Sequence, residues 1–247
     1  MKLGKLPPKE DSRTLMLADY VDLAVLPVPP PVIDWGSKVK VLGELGNDKV
    51  GDCAFASLGH QIQTWTANSG AEANITTEEV LAAYSAVSGY VPGDESTDTG
   101  ARCLDALNYL RKVGVGGHTC LAFAKVDPKH TTMVKAALWL FGGLYTGLAL
   151  PLTAQKQSVW SIDTNGTRGK GAPGSWGGHA VNFVGGATKR YELITWGALK
   201  DATLGFVQTY CDEMYALCSL DWVDGTKTAP NGFNLAQLEA DLKAVTR

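Results

Sequence analysis

The sequence predicts an α+β protein built as two lobes, helical first and strand-rich second. Three observations predict it. Apolar side chains recur at helical spacing between residues 53 and 141, apolar runs of strand length follow between residues 144 and 210, and the change comes at Gly142-Gly143. With 247 residues and 45% apolar content, the chain can bury a sizeable core. The expected organisation is an arm over residues 1–30 and a domain over 31–247. Within the domain, a helical lobe covers about 31–140, a β-rich lobe about 141–224 and a last helix about 234–246.

The arm is polar from Lys2 to Asp11, apolar from Leu15 to Val21, and extended through Leu26–Pro31 (LPVPPP). Its prolines lower the cost of ordering it, and Leu15, Leu17, Tyr20 and Val21 offer surface to bury. It is expected to lie across its own domain or a neighbouring subunit, outside any cleft between the lobes.

The first helix starts near Cys53. Phe55, Leu58, Ile62 and Trp65 form its stripe, with Cys53 opposite, and Asn68-Ser69-Gly70 ends it. The second starts at Thr76, which pairs with Glu79 as a capping box. The acidic loop Pro92–Gly100 lacks the spacing of a calcium loop and reads as solvated. Helices follow at Asp105–Val113 and Val134–Phe141, then strands at Leu144–Leu150, Ala180–Val184, Tyr191–Trp196 and Gly205–Tyr210. The glycine-rich loop Gly166–Gly178 has no Lys-Ser/Thr and opens no helix, so it is not a phosphate loop. Leu235–Val245 reads as the last amphipathic helix.

A net charge of −3 implies no nucleic-acid or anionic-membrane partner. The longest apolar run, Ala136–Leu152, is broken by Gly142, Gly143, Gly147 and Pro151. Met1–Arg13 lacks a secretory apolar region, so cytoplasmic synthesis is expected. Five cysteines are too few and too scattered for a disulfide framework. Cys211 and Cys218 fall in a segment of helical pattern, too far apart along its axis to bridge.

Cys53 is the cysteine whose position could do chemistry. A helix N-terminus lowers a thiol pKa, and an adjacent imidazolium lowers it further. A cysteine at a helix start can equally be structural. Of the four histidines, His60 is two turns along the same helix, His118 follows two glycines, and His130 sits in a charged stretch. His179 stands between Gly178 and a strand, with small neighbours that leave room for a cleft.

Taken in order, several segments resemble papain-like cysteine peptidases. Asp34-Trp35 and Gly51-Asp52-Cys53-Ala54-Phe55-Ala56 resemble the start of that family's domain and its nucleophile motif. Thr76–Leu81 resembles its second-helix start, and Thr99-Gly100 through Gly114 its Gly-Gly helix. Gly142–Leu148 resembles the strand opening its second lobe, Gly178-His179-Ala180-Val181 its catalytic His-Ala-Val, and Thr195-Trp196-Gly197 the end of its Asn-Ser-Trp-Gly motif. The likeness covers roughly residues 30–222 and extends to phage and bacterial variants. It implies a Cys53 nucleophile, a His179 base, a peptide or amide substrate between the lobes, and no cofactor or metal.

The departures bear on the site. Asn47 stands where the family's oxyanion glutamine lies, Val50 replaces a disulfide cysteine, and Ala54 replaces a tryptophan. Ile194 takes the place of the orienting asparagine, so Thr195 can serve only if its strand shifts by one residue. Two functions follow from the likeness. One is a Cys–His hydrolase (peptidase, amidase or transpeptidase). The other is a weakened or inactive structural or binding protein, such as a phage virion component that assembles through the arm.

Overall fold

The computed structural model describes residues 1–23, 28–223 and 228–232. The elements in chain order are β1 (Leu15–Met16), β2 (Ile33–Asp34), α1 (Cys53–Ser69), α2 (Thr77–Ser88), α3 (Cys103–Lys112), β3 (Ala122–Lys125), α4 (Thr131–Phe141), β4 (Leu144–Leu150), β5 (Val159–Trp160), β6 (Gly177–Gly186), β7 (Arg190–Thr195), β8 (Ala198–Thr203), α5 (Leu204–Tyr210) and β9 (Cys211–Cys218). The strands join in the order β1-β3-β9-β4-β6-β7-β8-β5, with β2 added to β6. Pairing from β3 through β8 is antiparallel, while β1 on β3 and β5 on β8 are parallel.

One core lies around α1, α2 and α3, and the other between the sheet, α4 and α5. α1 packs against β6 and is buried almost all round. Phe55, Leu58, Ile62 and Trp65 are fully buried, each worth roughly 1.5–3 kcal/mol of transfer free energy. Several of its polar side chains reach internal partners: Trp65 Nε1 donates to Phe141 O, Gln61 Nε2 to Gly142 O and Asn68 Nδ2 to Trp35 O. These bonds let a helix with a weak apolar stripe sit at the junction of the two lobes. α2 begins with the full Thr76–Glu79 capping box. Among the described residues no helix is long and apolar enough to cross a membrane.

Two local expectations are corrected. Residues 204–210 are helical, because Thr203 caps the turn by accepting from Phe206 N and the buried set Phe206, Val207 and Tyr210 shares one helical face. Residues 211–218 are strand β9, whose ladder to β3 and β4 overrides a helical pattern read from eight residues. The loop over 92–100 is largely exposed, as expected, but one end is anchored. Asp98 accepts from Gly51 N at 2.9 Å and from Tyr84 Oη at 2.7 Å, which ties the loop to the start of α1. The expected C-terminal helix, and residues 24–27 of the arm, lie outside the described residues.

Candidate active site

Cys53 is the first residue of α1 and only 1% exposed. Its sulfur accepts from Ala180 N at 3.4 Å, a bond that crosses from the helix to β6. His179 precedes Ala180 on β6 and is itself buried. Its Nε2 lies 2.7 Å from Thr195 Oγ1, and its Nδ1 has no hydrogen-bond partner among the described residues. Sheet parity explains the choice of Thr195. Asn182 pairs with Ile194, so the ladder sets Thr195 beside Val181, on the face that carries His179, and a diagonal contact closes the gap. Ile194 falls on the other face, and no one-residue slip of β7 is needed.

The β7–β8 turn completes the pair. Thr195 and Ala198 are partners, leaving Trp196 and Gly197 as a two-residue connection with φ of 45° and 69°. A tryptophan in that left-handed region is costly, and here it lays the indole on the imidazole, 4.2 Å between centroids and 12° from parallel.

The electrostatics are those of a closed, dry site. Burial pushes the Cys53 thiol up to about 11, against the pull of the Ala180 and Gly4 amides, and the Asp52 charge adds to the rise. Burial likewise takes His179 down to about 3, with His60 adding to the fall. The resting pair is therefore a neutral thiol and a neutral imidazole. Beside them, Asp52 is fully buried with neither carboxylate oxygen in a well-formed hydrogen bond among the described residues, and burial lifts its pKa to about 8 against the pull of the Asn47 amide. Asn47 is buried nearby, and its Nδ2 donates to Val50 O at 3.0 Å.

What closes the site is the start of the chain, and this reverses the expectation that the arm avoids the cleft. The Met1 amine donates to Asp48 O at 3.1 Å, Lys2 N to Asn47 O at 3.0 Å, and Trp196 Nε1 to Lys2 O at 3.1 Å. Gly4 directs its amide at Cys53. Ala101 N donates to Gly4 O, Leu6 N to Ala101 O, and Lys5 N to Gly178 O, so the arm bridges both walls. A Cβ on Gly4 would overlap Gly51 O, and one on Gly100 or Gly178 would overlap the arm's own carbonyls. The approach is backbone to backbone, and the glycines permit it. Beyond the cleft, Lys9 pairs with Asp105, Lys125 with Glu10, and β1 with β3.

Four features escaped the sequence reading. Trp196 belongs to the Thr195-Trp196-Gly197 motif, but its stacking depends on a turn conformation. Asp52 gave no sign of being an unpaired buried acid. Gly4-Lys5 carried a signal only as the glycine in a charged stretch, and Glu213 only as the second of the adjacent acids Asp212-Glu213 ahead of the apolar run Met214–Leu217.

No protein-family model matches the chain, and no curated protein matches it either. Solved structures do. Xylellain, a cysteine protease from Xylella fastidiosa, matches with a TM-score of 0.68 and 17% identity over 88% of this chain and 96% of its own. Digestive procathepsin L 3 from the larval midgut of Tenebrio molitor matches with a TM-score of 0.59 and 14% identity, over 88% and 75%. The cysteine protease CMS1MS2 of Carica candamarcensis matches with a TM-score of 0.55 and 15% identity, over 77% and 99%. The chain has a papain-like fold.

Proposed function

We propose that this papain-like chain is a cysteine hydrolase that cleaves peptide or amide bonds with Cys53 and His179, and that its N-terminal arm holds it closed. The observation that carries the reading is the placement of the pair. A thiol at the first position of a buried helix sits beside a strand whose histidine has one ring nitrogen held and the other free. When Nε2–H donates to Thr195, Nδ1 carries the lone pair, and that is the atom able to take the thiol proton.

In the open form, Cys53 Sγ attacks the substrate carbonyl carbon while its proton passes to His179. Cys53 N–H, one of the donors a helix leaves unpaired at its first turn, and the Asn47 amide, once it turns from Asp52, hold the oxyanion. The His179 proton then leaves on the amine, giving a thioester, and water attacks that thioester to release the acid and regenerate the thiol. The arm presents an amide N–H to the sulfur, not a carbonyl carbon, so it occupies the site without reacting.

Opening the arm tests the reading. Gly4→Val cannot seat against Gly51 O. In the full-length Gly4→Val chain, iodoacetamide is expected to alkylate Cys53 readily at pH 6, and a peptidyl amide to be hydrolysed. His179→Ala should abolish both. A Cys53 that reacts only near the pKa of a free thiol, about 8.5, and is indifferent to His179→Ala would end the hydrolase reading.

A further inference from the structure

The arm leaves an imprint of what the cleft accepts. Lys5 is 6% exposed, and its ammonium lies 2.8 Å from Asp212 Oδ2 and 3.2 Å from Glu213 Oε1. Glu213 is fully buried. Its Oε2 accepts from Tyr215 Oη at 3.0 Å, while among the described residues Oε1 has no well-formed hydrogen bond and faces the Lys5 ammonium. Asp212 stands at the pocket mouth with its side chain 28% exposed. Gly147 forms the wall, where a Cβ would collide with the Lys5 stem.

Burial pulls the Lys5 ammonium down, yet Cys103, Asp212 and Glu213 outweigh it and hold the group above its ordinary value. A buried carboxylate with no cation is costly, so the pocket is built around a positive charge and is left unsatisfied when the arm departs.

We infer that Asp212, Glu213 and Gly147 form a specificity pocket for a basic side chain, so that the peptide taken by this cleft carries lysine or arginine where the arm carries Lys5. The inference rests on the hydrolase reading of Cys53 and His179 for its substrate, but the pocket can be measured without chemistry. An apolar residue of equal length would fill the space and leave Glu213 unpaired. An acidic one would be repelled by both carboxylates. Arginine can offer its fork to the two acids at once.

The test uses the full-length Gly4→Val chain, with Lys5→Glu as a second arm-releasing variant; circular dichroism checks that each is folded. Peptidyl fluoromethyl ketones with arginine, lysine, norleucine or glutamate one or two residues from the electrophile are compared by their rate of Cys53 modification. The basic probes should react about tenfold or more faster than norleucine, and Glu213→Gln should reduce that ratio to near one. In parallel, calorimetry measures binding of a free peptide with the sequence of residues 1–6, and of its norleucine-5 analogue, to the Gly4→Val chain carrying Cys53→Ser. Preferential binding of the lysine peptide supports the pocket even if no ketone reacts, in which case only the hydrolase reading falls. Ketones that react without basic preference, together with equal binding of the two peptides, overturn the pocket and leave the hydrolase reading standing.

Discussion

His179 is held by two neighbours that control different things. Trp196 fixes the plane of the ring by stacking, and Thr195 fixes its tautomer through Nε2. A hydroxyl is a weaker orienter than a carboxamide because it can rotate to donate as well as accept. The plane set by Trp196 compensates in part, since the ring cannot turn away from β7. The role of Thr195 is then separable from packing. In the Gly4→Val chain, Thr195→Val keeps shape but removes the acceptor, and should slow alkylation of Cys53 at pH 6.5 by about tenfold to 100-fold. Thr195→Ser should retain most of the rate. Equal rates for the serine and valine variants would mean that the hydroxyl only fills space.

Among the elements, α4 and β4 show how tightly the pocket wall is anchored. α4 ends at Gly142 in the left-handed region, φ 67°, with its open side against the Trp222 ring. Gln61 of α1 donates to the Gly142 carbonyl. β4 then runs from this junction to Gly147. Gly142→Ala should therefore cost about 1–3 kcal/mol or more, read as a lower urea midpoint at unchanged slope. A midpoint within error of the parent would show that the junction yields.

The elements legible in the sequence were those with local signals. The α1 stripe, the Thr76–Glu79 box and the β4 run each specify themselves within one or two turns. The α5 and β9 segments did not, because seven or eight residues fit either period and the outcome rests on the Thr203 cap and on partners in β3 and β4. Cys53 and His179 were legible as an ordered pair in a familiar arrangement. The prolines mark the arm as a docking segment, yet the part that fills the cleft is Met1–Leu6, whose partners Asn47, Ala101 and Gly178 come from three distant stretches of chain.

At the scale of the molecule, the arm joins the lobes and the fold buries a set of ionisable groups, and the pH dependence of stability follows from these. Burial lowers His60 to about 4 and His179 to about 3, from an unfolded value near 6.5. Both contribute stability that is present above pH 6.5 and is lost as pH falls toward the folded values, because the unfolded chain binds the extra protons. Asp52 acts in the opposite sense. Burial raises it to about 8, so its contribution is full below about pH 3.9 and is lost as pH rises through 8. Two histidines outweigh one carboxyl below pH 6.5, and above it Asp52 acts after the histidines have gone neutral in both states. Stability should therefore peak near pH 6.5 and decline on both sides. Urea midpoints measured from pH 4.5 to 8 check this. Asp52→Asn should flatten the limb from pH 6.5 to 8 while leaving the acid limb in place. A parent protein with no decline between pH 6.5 and 8 would show that Asp52 is ionised in the folded state, with a partner supplied to its two oxygens.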